Sequence, residues 1–111
     1  MSNATIDTTT VAGCRSAEAD AFNRAADLLE AAAKGGADLI KQALQFNQLL
    51  WSLVLADITE ADNKLPLELK ANIVSLSMFV EGLGEKFAKG EKIDLNALVN
   101  INRNLAQGLG A

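Results

Sequence analysis

Phe46-Asn47-Gln48-Leu49-Leu50-Trp51-Ser52-Leu53-Val54-Leu55-Ala56-Asp57-Ile58, followed by the polar turn Thr59 to Asn63 and then Leu65-Pro66, decides the fold. From Phe46 onward the stretch is apolar nearly all round. A helix of that kind is surrounded by other helices or keeps one face for a partner. The turn has the length that joins antiparallel helices. Pro66 suits the first turn of the next one, where its fixed φ is already helical and its missing N–H has no bond to lose.

Upstream, Ile40, Leu44, Trp51, Val54 and Ile58 form one stripe of this second helix, widened by Leu39, Ala43, Phe46, Leu50 and Leu53, with Asp38 near its start. Gly35-Gly36 separates it from a first helix, since two glycines inside a helix cost roughly 2 kcal/mol relative to Ala. Ser16 is the expected cap of that first helix, in which Phe22, Ala25, Ala26, Leu29, Ala32 and Ala33 recur at spacings of three and four. Its face is mostly Ala and buries little area per residue. It is therefore expected to be the weakest element, docking closely rather than anchoring the core. Residues 1–15 show no such period and are expected to be a disordered, flexible tail, leaving 16–111 as a single helical domain.

Downstream, Leu69, Ile73, Leu76, Val80, Leu83 and Phe87 follow near-heptad spacing, the pattern of a third helix packed along its neighbour. Gly82 and Gly84 are expected to weaken or bend its last turns, and Gly90 to close it. Asp94 is the expected cap of a fourth helix, with Ile93 and Leu98 at the two positions of a hydrophobic staple. Leu95, Leu98, Asn102, Leu105 and Leu109 make its inward stripe, and Gly108 and Gly110 are expected to end it. The fold class is all-α: an antiparallel four-helix bundle with a weak Ala-rich first helix.

Composition narrows the function. The 111-residue chain carries a net charge of −4, has a pI near 4.7 and contains no His. Its Lys and Arg residues are scattered, so it lacks the basic footprint of a direct nucleic-acid or anionic-membrane binder. The longest apolar run, around Leu49 to Ala56, is far short of a bilayer span, and there is no secretory leader pattern. A soluble, cytoplasmic protein without membrane insertion is expected. Cys14 is the single cysteine, which excludes an intrachain disulfide, and its ordinary reading is a thiol in the tail.

No constellation for catalysis or for a cofactor or metal emerges, so an enzyme is not expected. Asp57, Glu60 and Asp62 lack the Gly and the closing Glu of a calcium loop, and Gly82-Leu83-Gly84 follows a helix where a nucleotide motif follows a strand. Glu81 and Glu85, one turn apart, read as an exposed helix face. Asn47, Asn72, Asn100 and Asn102 sit among apolar residues, where an unpaired amide costs roughly 1 to 3 kcal/mol. They are expected to bond across helices and fix register; the sharper reading has some of them presenting amides to a bound peptide. Trp51 fits either a core position or an interface anchor.

The segments Phe46-Asn47 with Leu50-Trp51, Asp62-Asn63 running into Leu65-Pro66, Asn72-Ile73 with Leu76 and Phe79-Val80, and Asn100-Ile101-Asn102-Arg103 with Ala106 and Gly108-Leu109 resemble the flagellar biosynthesis protein FlaF family of alphaproteobacteria. The resemblance spans roughly residues 40 to 111. It implies a cytoplasmic factor that binds flagellin, keeps it from polymerising and promotes its synthesis and type III export. It also implies a tie to the flagellin-mRNA regulator FlbT. Expected partners are therefore flagellin and, in an adaptor role, FlbT, with Phe46, Leu49, Leu50, Trp51 and Val54 as the partner contact. A homo-oligomer closing over Phe46 to Ile58 is the purely structural rival.

Overall fold

The computed structural model describes the backbone of residues 11–110 and the side-chain surroundings of residues 16–110. Four helices follow one another: α1 Val11–Ala32, α2 Ala37–Ile58, α3 Leu67–Ala88 and α4 Leu95–Gly110. The described residues contain no strand. Each helix packs on the next, and α4 closes the ring on α1. Cross-helix neighbours fix the directions. Arg103 meets Asp27 while Gly110 lies beside Ala19, and Gln48 lies over Gly84 while Lys41 shares a cavity with Ala88. Both pairs of helices therefore run antiparallel, as the short α2–α3 connection requires of the second pair.

The expected tail divides. Positions 1–10 lie outside the described residues, whereas Val11 to Arg15 form the start of α1. Ser16 is thus inside the helix rather than its cap. Once a helix is nucleated each further residue adds a bond, and a lone Gly13, at about 1 kcal/mol relative to Ala, is not costly enough to stop propagation to Val11. Pro66 sits one place before the first helical residue of α3, with φ −57° and ψ 144°, and its carbonyl accepts the Lys70 N–H. α3 runs unbroken past Gly82 and Gly84, and α4 continues through Gly108.

α1 docks closely, as its Ala face leads one to expect, but it also anchors the core. Phe22, Ala25, Ala26 and Leu29 are all exposed by 1 % or less, and the α1–α4 contact is the most extensive in the molecule. Small side chains let two helix axes approach, so each Ala that buries little area of its own admits more of its neighbours' area. Arg103 on α4 clasps this seam from outside, bonding Asp27 at 2.8 Å and also Glu30. The hydrogen bonds to Asp27 and then Glu30 raise its guanidinium pKa above the ordinary value.

The connections are chemically specified. Gly36 (φ 105°) opens α2, and Gly90 (φ 82°) closes α3. Around Gly90 the N–H of Glu91 reaches the Lys86 carbonyl at 3.0 Å and the N–H of Gly90 reaches that of Phe87 at 2.9 Å, the two bonds of a Schellman termination. The Ala97 N–H donates to Asp94 Oδ1 at 3.3 Å, and Leu98 is fully buried with Ile93 against the core, as the cap and staple require. In the α2–α3 turn, Asn63 donates to Asp57 Oδ2 and accepts the Leu65 N–H on its Oδ1, each at 3.0 Å, while Lys70 donates to its carbonyl. These bonds hold buried Leu65 against the base of the bundle.

Candidate functional site

The rotation of α2 about its axis determines which of its apolar side chains are free, and a buried polar chain fixes that rotation. Trp51 donates its Nε1–H to Asn102 Oδ1 at 3.0 Å, and Asn102 in turn donates to Asn47 Oδ1 at 2.6 Å. Both asparagines are 0 % exposed. A buried indole needs an acceptor, and the α4 amide that supplies it can face only one rotation of α2. Phe22 meets the Trp51 ring edge-on with centroids 5.3 Å apart, which closes the pocket from α1. Asn47 Nδ2 is left buried without a hydrogen-bond partner among the described residues.

This geometry sorts the residues expected to act. Asn47 and Asn102 bond across helices, whereas Asn72 and Asn100 are exposed and carry no cross-helix bond among those described. Those two amides lie on the outer faces of α3 and α4, so the expectation that they fix register is corrected. Of the five expected partner contacts, Trp51 and Val54 are buried, at 3 % and 2 % exposure. They belong to the core, because the Trp51–Asn102 bond turns their side of α2 inward. Leu49 stands open at 56 %, and Phe46 and Leu50 are half-buried.

Two residues that sequence reasoning assigned only to the inward stripe join them. Leu53 is 59 % exposed and Leu39 48 %. Leu39, Phe46 and Leu53 recur every seven residues, and Leu49 and Leu50 fall between them. This heptad repeat was the available signal. The five side chains form an apolar band along the outside of α2. At its upstream end a cavity of about 300 Å³ lies between α1 and α2, where Leu28, Ala31 and Gln42 join Leu39 and Phe46. No residue from Gln42 to Ala56 is charged, so α2 itself contributes no charge along the band over about four turns.

The chemistry of such a face is association, by burial of apolar area and by the side-chain amides beside it. Among the described residues no three His, Cys, Asp or Glu side chains converge, and no helix is long and apolar enough to cross a membrane. No curated protein and no solved structure matches the chain. A family model described as flagellar protein FlaF matches residues 3–109, nearly the whole chain. The chain therefore belongs to the flagellar protein FlaF family.

Proposed function

We propose that this chain is a flagellin-binding chaperone, a non-enzymatic cytoplasmic factor that holds flagellin subunits and promotes their synthesis and export. Membership of a flagellar family supports a client among flagellar components. The single observation that carries the reading is the uncharged apolar band on α2, formed by Leu39, Phe46, Leu49, Leu50 and Leu53. Monomeric proteins seldom leave a contiguous row of this kind open, and a groove-lining helix face suits an amphipathic helix of a partner. The terminal amphipathic segments of flagellin are the proposed occupants.

Calorimetry with purified flagellin tests this. The wild-type chain is expected to bind, and the double substitution Leu49→Glu with Leu53→Glu to weaken binding at least about tenfold. Both residues are more than half exposed, so the change should move folding stability by no more than about 0.5 kcal/mol. Absence of heat and of co-elution with the wild-type chain overturns the proposal. Recovery of FlbT without flagellin in a pull-down replaces it with the regulatory adaptor.

A further inference from the structure

On the other flank of α2, facing α3, lies a groove that the apolar band does not reach. Its first part, about 390 Å³, has Trp51, Leu55 and Val80 on its apolar side and Glu81 and Glu85 on its polar side. Gln48 also lines its continuation, about 370 Å³, beside Leu44 and Phe87, with Lys41 at the far end. Gly84 leaves room at the junction: a Cβ there would collide with the Gln48 side-chain amide.

Glu81 and Glu85 lie one turn apart on α3, where like charges repel, and neither forms an ion pair among the described residues. Lys89 lies one turn beyond Glu85 without an ion pair to it, and among the described residues that line the groove the one cation is Lys41, at its far end. An apolar floor beside two carboxylates that form no ion pair matches one surface well: an apolar row bordered by Lys or Arg. A neutral or acidic occupant would leave the two carboxylates unpaired against it.

We propose that the α2–α3 groove is a second binding site, which takes a cationic amphipathic helix. Its apolar side chains pack on half-buried Leu55, above the buried Trp51 and Val80 that floor the groove, and its Lys or Arg residues meet Glu81 and Glu85. The site is separate from the α2 band and does not depend on what the band binds.

The test uses the full chain and two model peptides of identical apolar pattern, one built from Leu and Lys and the other from Leu and Glu. Titration is followed by peptide anisotropy and by the emission of Trp51, the single Trp of the chain. The Leu/Lys peptide is expected to bind at least about tenfold tighter than the Leu/Glu peptide, to shift Trp51 emission, and to weaken with salt. Glu81→Gln with Glu85→Gln should abolish that preference, while Glu60→Gln with Asp62→Asn, at the α2–α3 turn, should leave it. All four acids are exposed, and matching thermal transitions check that both variants are folded. Failure of the Leu/Lys peptide to bind, equal binding of both peptides, an unmoved Trp51 emission, or equal loss in the two acid variants overturns the proposal. No flagellin is used, so this result and the flagellin calorimetry stand or fall separately.

Discussion

At the scale of single residues, three side chains decide how the molecule is read: Trp51, Asn102 and Asn47. Truncating Asn102 leaves a buried indole N–H and a buried amide oxygen without partners and opens a small void. Asn102→Ala is expected to cost about 2 to 4 kcal/mol in urea unfolding. In a double-mutant cycle with Trp51→Phe, the coupling should be about 1 to 2 kcal/mol; additivity would mean that the bond does not contribute. The sequence made it legible that asparagines among apolar residues need partners. It did not show which two of the four would find them, because that depends on helix rotation, and rotation is settled between α2 and α4. Trp51 was ambiguous for the same reason: one contact to a residue 51 positions away makes it core.

At the scale of elements, the helices and their ends were largely readable, since Gly35-Gly36, Gly90 and Asp94 act through local backbone chemistry. Gly90 offers a clean check. Its φ of 82° is left-handed, where a side chain costs about 1 to 2 kcal/mol, so Gly90→Ala should lower the unfolding free energy by that amount, read as a lower urea midpoint with an unchanged slope. An unaltered midpoint would show that the turn relaxes to another termination. The role of α1 was harder to read. Residue-by-residue area makes Ala look like a weak contributor, and the distance between helix axes is not written in either helix alone. The apolar surplus of α2 was legible as a quantity; its placement on the outer face was not, although the heptad of Leu39, Phe46 and Leu53 held the signal.

At the scale of the whole molecule, the ring of helices is uneven. Described α4, the shortest helix, buries six residues, whereas the longer α3 buries only Ile73, Val80 and Leu83 and leaves Leu67, Val74, Met78 and Phe79 exposed. The extents of 42 × 32 × 18 Å make a slab about two helices thick, with no third layer among the described residues to cover those faces. Hydrogen exchange should therefore find α1 and α4 amides opening at the highest free energies and α3 amides at lower ones. Uniform protection would instead mark a single cooperative unit. Both proposed binding faces border α2, the helix that joins the firm half of the slab to the looser one.

The close seam of α1 against α4 has a consequence for how such chains diverge. Ala25 and Ala26 are 0 % exposed, and Ala has nothing left to lose except one methyl. Larger side chains force the axes apart and smaller ones loosen the helix, so drift at these two positions is confined to residues near Ala in size. Leucines elsewhere in the core can exchange with Met or Ile when their neighbours repack. A lineage would then keep its smallest side chains most faithfully while its large ones turn over, and the slowest-changing line on α1 would be the one with the least chemistry.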